Sequence, residues 1–134
     1  MKKIALFLTV FSISTLLYCQ ESLTKKQERV QHAVVKLFDA LSNRDSISLK
    51  AYSTTDITLY EYGQIWNMDT LILKAITLNQ SADFKRTNSF EFINTMVDKT
   101  TASVTNRLQS VIVKDGKQVT SQWLKKEVLI REKK

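Results

Sequence analysis

The sequence predicts an α+β fold in which helices pack on one face of an antiparallel sheet. Apolar residues recur at helical spacing from Val30 to Leu41 and again from Met68 to Ile76. From Phe90 onward they alternate with polar residues instead, the period of a half-buried strand. Between the last two alternating segments stands Lys114-Asp115-Gly116-Lys117, whose Asp-Gly pair supplies the positive φ angles of a two-residue hairpin turn.

The first segment reads as an export signal. Lys2 and Lys3 precede an uncharged run from Ile4 to Tyr18, and polar Gln20-Glu21 follow. The run falls short of the ~20 apolar residues that a spanning helix needs, which argues against a retained anchor. Residues 1–20 are therefore assigned to a secretory signal peptide, cleaved near Cys19 or Gln20, and residues 21–134 to one domain. Cys19 with Leu16-Leu17 before it also resembles a lipoprotein box, from which Tyr18 departs. The expected location is the periplasm or the medium. No membrane contact is expected after cleavage unless Cys19 carries lipid.

In the domain, Thr24 and Gln27 have the spacing of a capping box. Val30, Ala33, Val34, Leu37, Phe38 and Leu41 follow as one apolar helical stripe. Ser42-Asn43-Arg44-Asp45 stops that helix, and Asp45 or Ser46 can cap a short second one through Ile47, Leu49 and Tyr52. Ile57–Tyr62 is rich in β-branched and aromatic residues, and Gly63 turns the chain into Gln64-Ile65-Trp66, a short hairpin. Asn67 can cap a third helix with Met68, Leu71, Ile72, Ala75 and Ile76 on one face. Ser81–Asn88 is polar and reads as a loop. Three strands are then predicted. In the first, Phe90, Phe92 and Met96 share a face, opposite Glu91, Ile93, Thr95 and Val97. In the second, Ala102, Val104, Leu108 and Ile112 share a face. The third runs from Val119 to Ile130.

Composition excludes several chemistries. The 134 residues contain two glycines, one histidine, one cysteine and no proline. Multi-histidine metal sites, zinc ribbons, glycine-rich phosphate loops and disulfide scaffolds cannot be built from that inventory, so neither metal nor cofactor is expected. His32, the single imidazole, lies about 200° around the helix from Val30 and so faces solvent, away from the stripe. Asp39 falls on the same polar side. The net charge of +7 gathers at Lys125, Lys126, Arg131, Lys133 and Lys134, with Lys114 and Lys117 beside the hairpin. Nucleic-acid binding would interleave such charges with stacking aromatics, and Trp123 alone does not supply them. A solvated basic face is expected, with no nucleic-acid partner and at most weak attraction to anionic surface polymers.

Four stretches carry a family likeness. They are Leu37-Phe38-Asp39-Ala40-Leu41-Ser42-Asn43-Arg44-Asp45, Thr55-Asp56-Ile57-Thr58-Leu59-Tyr60-Glu61-Tyr62-Gly63, Trp66-Asn67-Met68-Asp69, and Trp123-Leu124 with Val128-Leu129-Ile130. With the element order, they resemble the nuclear transport factor 2-like superfamily, which includes ketosteroid isomerase and the SnoaL-like polyketide cyclases. Small exported bacterial members are the nearest likeness, which covers about residues 24–134. The resemblance implies a cone-shaped fold with three N-terminal helices packed on a curved antiparallel sheet. In those proteins the strand ending near Ile130 turns into a further aromatic-rich strand. Here the chain stops where that turn would begin, which implies a truncated product or an open edge able to pair with another chain.

The resemblance also directs attention to carboxylates on the cone wall, because enzymes of the superfamily use one as general base, with a tyrosine or acid polarising a carbonyl. Asp56, Glu61, Asp83 and Glu127 are the candidates. Asp56 with Tyr60 and Tyr62 is the catalytic set proposed from sequence, the tyrosines sharing one strand face with Trp66 nearby. The competing reading makes Asp56 a turn former and the tyrosines core-mouth fillers. Trp66, Phe90, Phe92 and Trp123 are the candidate lining of a small apolar ligand's cavity, or simply core. Glu127 shares parity with Trp123 and is assigned to the surface beside Lys125. Three functions follow. The first is a non-catalytic ligand-binding or accessory module. The second is an isomerase, dehydratase or cyclase with a carboxylate base. The third is an interaction protein that forms a homodimer through its sheet.

Overall fold

A computed structural model describes residues 22–132, and the expected signal peptide with Cys19 lies outside them. The first helix, α1 (Lys25–Ser42), starts at the predicted capping box. Gln27 N donates to Thr24 Oγ1 (3.3 Å), and Thr24 N donates to Gln27 Oε1 (2.9 Å). Val34, Phe38 and Leu41 bury its apolar stripe, while His32 and Asp39 are exposed as expected. Arg44, at φ 55°, breaks the helix. Asp45 Oδ1 then accepts from Ile47 N and Ser48 N, starting α2 (Ser46–Ala51).

Strands β1 (Leu59–Glu61) and β2 (Gln64–Trp66) form the short hairpin. Its two-residue turn takes Tyr62 (φ 51°) as well as Gly63 (φ 71°). The strand therefore ends at Glu61, one residue before the aromatic run suggests. Asn67 Oδ1 accepts from Thr70 N (2.9 Å) and caps α3 (Met68–Ile72), which runs on into a π-helical turn at Leu73–Thr77.

The main sheet has the antiparallel order β3-β4-β5, with β3 Lys85–Val97, β4 Thr101–Lys114 and β5 Lys117–Ile130. The polar stretch before Phe90 is not a loop throughout, because β3 already begins at Lys85. Its inward polar side chains find partners on the sheet and on α1: Asn88 Nδ2 donates to Ser42 Oγ (2.7 Å), and Arg86 donates to Ser110 Oγ (3.1 Å). A bulge at Ile93 inserts one residue and reverses the alternation after Phe92. Thr95 is consequently buried and Met96 is 62% exposed, the opposite of the faces that strict alternation assigns.

The Asp115-Gly116 turn has the expected positive φ angles, 52° and 71°. It is clasped from outside: Asp83 accepts from Asp115 N at Oδ1 (2.8 Å) and from Gly116 N at Oδ2 (2.7 Å). Helix α1 lies across β3 and β4. Its stripe meets Val104 and Leu108, and α2 and α3 add Leu49, Met68 and Leu71 to the same core. The result is three helices on one antiparallel sheet, with the β1–β2 hairpin as a separate ribbon. No described helix is long and apolar enough to cross a membrane.

The clasp has a pH signature. The Ser81 hydroxyl first, then the Gly116 and Asp115 amides, lower the Asp83 pKa from its ordinary 3.8 to about 2. A depressed carboxyl stabilises the fold above its unfolded pKa, and that contribution is lost as pH falls through the folded one. Urea denaturation should therefore show Asp83→Ala less stable than wild type at pH 5. The gap should close between about pH 4 and pH 2. A gap that persists unchanged at pH 2 would remove the carboxylate from the clasp.

Candidate functional site

Strand register builds the site. Along the face covered by α1, the three strands present rows of side chains: Asn88–Ser110–Ser121, Phe90–Leu108–Trp123, Phe92–Asn106–Lys125, Thr95–Val104–Glu127 and Val97–Ala102–Leu129. The third and fourth rows place two polar β5 residues, Lys125 and Glu127, among aromatic and aliphatic neighbours. Phe90 and Phe92 stack with centroids 5.6 Å apart, and Phe38 meets Phe90 edge-on at 5.6 Å.

Lys125 has a partner. Its ammonium pairs with Glu61 of the hairpin, and the two side chains are only 19% and 15% exposed. The same ammonium lies 5.8 Å from the Trp123 ring centroid and 5.9 Å from that of Phe38. Arg86 sits 5.7 Å from the Trp123 centroid on its own account. Burial lowers the Arg86 pKa, opposed by the nearby Glu61 charge. The ion pair thus ties the β1–β2 hairpin over the inner side of β5.

Glu127 is only half served. Its Oε2 accepts from Asn106 Nδ2 at 2.6 Å, but Glu127 Oε1 and Asn106 Oδ1 are buried without a hydrogen-bond partner. Asn106 is fully buried. Burial pushes the Glu127 carboxyl up from its ordinary 4.5, more than its own backbone amide, Lys125 and Asn106 pull it down. Two neighbouring buried acceptors without donors can receive an O–H or N–H group. The Glu127 carboxyl can also exchange a proton with one.

Glu127 therefore points inward, correcting its assignment to the surface. The register could have revealed this: counting back from the two-residue turn pairs Trp123 with Leu108 and Glu127 with Val104, both on the apolar face of β4. Asn106, between Val104 and Leu108 at the same parity, was legible by the same count. Glu61 takes the inward place that the sequence reading assigns to its tyrosine neighbours. Tyr60 and Tyr62 are 80% and 78% exposed, one facing outward and the other held in the turn. Asp56 is an exposed turn residue whose carbonyl accepts from Thr58 Oγ1 (3.4 Å). These three are not brought together in a pocket. Of the four candidate lining residues, Phe90, Phe92 and Trp123 share the inner face. Trp66 packs from the hairpin, with Tyr62 at 6.1 Å and Lys74 at 4.8 Å from its ring.

Beyond Glu127 the inner face opens into a cleft of about 320 Å³. Ala102 and Leu129 form its sheet side, and Val30 and Ala33 of α1 its opposite wall. Gln27 and Gln31 hold α1 here by donating to Thr95 O and Thr95 Oγ1, each at 2.9 Å. The bulge at Ile93 is what turns Thr95 toward them. Among the described residues, no group of three or more acidic, histidine or cysteine side chains could hold a metal.

No family model and no curated protein matches the chain. Solved structures do. A candidate ketosteroid isomerase from Shewanella frigidimarina aligns with a TM-score of 0.59 at 15% identity, over 74% of this chain and 80% of that one. A ketosteroid isomerase-like protein from Erwinia carotovora atroseptica gives 0.57 at 13% identity, over 81% and 84%. An LEH-like epoxide hydrolase from M. tuberculosis gives 0.50 at 11% identity, over 80% and 76%. At these identities the likeness is one of fold alone: the α+β arrangement of helices on an antiparallel sheet is shared with ketosteroid isomerase-like structures.

The Lys125–Glu61 pair supplies a stability test. Removing one partner of a buried pair strands the other's charge, at a cost of about 3–5 kcal/mol. Glu61→Gln should lose about that much in urea denaturation, and adding Lys125→Met should restore most of it. A loss well under 1 kcal/mol in the single variant would mean that the pair is solvated rather than buried.

Proposed function

We propose that this is an exported, non-catalytic binding module that holds a small, largely apolar ligand against the inner face of the sheet. The observation that carries the reading is the pair of buried acceptors, Asn106 Oδ1 and Glu127 Oε1, left without donors beside Phe92 and Trp123. A buried polar atom without a partner costs roughly 1–3 kcal/mol, so a fold that keeps two side by side gains when a ligand donor arrives. The ligand's body would contact the aromatic rows, and its hydroxyl or amide would answer the acceptors. Export rests on the residue 2–20 pattern alone.

A second reading is favoured by the raised Glu127 carboxyl. An isomerase, dehydratase or cyclase would use Glu127 as its base or acid, in the role assigned from sequence to Asp56.

Mass spectrometry of the protein purified gently from its host should show a bound small molecule. Glu127→Gln, which keeps the side chain's shape, should retain it about tenfold less well, the worth of one charge-assisted hydrogen bond. A protein that is always empty, or a Glu127→Gln variant that keeps its ligand undiminished, would overturn the binding reading. Chemical conversion of the ligand by wild type but not by Glu127→Gln would replace it with the enzymatic one.

A further inference from the structure

The cleft next to Glu127 carries information about the ligand's charge. Its walls are apolar, from Val30 and Ala33 on α1 and Ala102 and Leu129 on the sheet. Its rim is cationic. Lys26 and Arg29 stand one helical turn apart on α1 and so share a face, and Arg131 follows β5. The main chain at Arg131 is tied to the β3–β4 connection, its backbone N–H donating to Thr100 O at 2.8 Å. Asp98 is the single acid among the lining residues, and its Oδ1 already accepts from Lys99 N at 2.8 Å. None of the three rim cations is in an ion pair among the described residues.

Three unpaired cations around an apolar hollow match a molecule with an anionic head and an apolar body. We propose that the cleft selects a small amphiphilic monocarboxylate, its carboxylate at the Lys26–Arg29–Arg131 rim and its hydrocarbon body against Ala33, Ala102 and Leu129. A guanidinium presents paired N–H donors in the geometry of a carboxylate, which suits Arg29 and Arg131 to that head group. A volume of about 320 Å³ lies at the low end of small-molecule sites and fits one such molecule rather than a bilayer surface. The proposal rests on the binding-module reading and adds the ligand class. Leu129, on the cleft's sheet side, lies two residues beyond Glu127 on the same face of β5.

The test compares decanoate, 1-decanol and decyltrimethylammonium by calorimetric titration of the full chain, all below their aggregation concentrations. Wild type should bind decanoate at least tenfold more tightly than decanol, and the ammonium compound more weakly still. The double variant Lys26→Glu with Arg29→Glu should erase the preference for decanoate over decanol. Both positions are exposed, so folding should be unaffected, as circular dichroism would confirm. Ala33→Phe, also at an exposed helix position, should block the cleft and weaken every ligand. Equal affinity of wild type for decanoate and decanol would overturn the anionic class while leaving an apolar site intact. Decanoate binding untouched by Ala33→Phe would place it elsewhere and overturn the proposal. Failure of all three compounds to bind would overturn it too, and the module reading would then stand or fall on the co-purified molecule.

Discussion

Burial of the central strand on its inner side is the constraint on which the rest of the structure depends. Val104, Asn106, Leu108 and Ser110 are each 0% exposed, two apolar and two polar residues on one face of β4. Helix α1 provides the cover, with Val34 and Phe38 above the sheet. Once that face is closed, every polar group on it must find a donor or acceptor inside the protein. Ser110 succeeds: its hydroxyl donates to Asn88 Oδ1 at 2.7 Å and accepts from Arg86. Asn106 succeeds only through its amide nitrogen.

The two halves of the inner face thus have different characters. Near the Asp115-Gly116 turn, Arg86, Asn88, Ser42 and Ser110 form a polar network that joins β3 to β4 and to α1. Such a network rigidifies, because each member holds the next in one geometry. Toward the other end, the polar residues come from β5, at the margin of the helical cover. Lys125 is answered by Glu61 from the hairpin, and Glu127 by half of Asn106. Incomplete satisfaction at the site contrasts with its completion next door. That is the pattern expected where a fold keeps interaction capacity for something outside the chain.

Much of the architecture was legible in the sequence, and the rest failed for identifiable reasons. The Thr24–Gln27 box, the Val34–Phe38–Leu41 stripe, the Asn67 cap and the Asp115-Gly116 turn are local signals whose physics does not depend on distant partners, and they hold. The extra residue at Ile93 was not legible, because nothing in Phe92-Ile93-Asn94 distinguishes a bulge from regular alternation. It exchanges Thr95 and Met96 between faces. Lys85–Ser89 was hidden as strand because its inward residues are polar and satisfied by groups remote in sequence. The site was half legible. Phe90, Phe92 and Trp123 follow from parity, whereas Tyr60 and Tyr62 mislead because the turn takes Tyr62 and leaves Glu61 as the inward neighbour. Glu127 needed the turn-fixed register to be counted across to Val104, a step that composition and parity on a single strand do not make.

The central claim is that the inner face holds a carboxyl whose burial outweighs its one donor. The most direct measurement is a carbon-detected NMR titration of the Glu127 side-chain carboxyl in the ligand-free protein, assigned by its loss in Glu127→Gln. The expected midpoint lies above the ordinary 4.5, since desolvation outweighs the help from the Glu127 backbone amide, Lys125 and Asn106. A midpoint at or below 4.5 would mean that water or another donor already serves Oε1. The inner face would then hold no unmet acceptor for a ligand to answer.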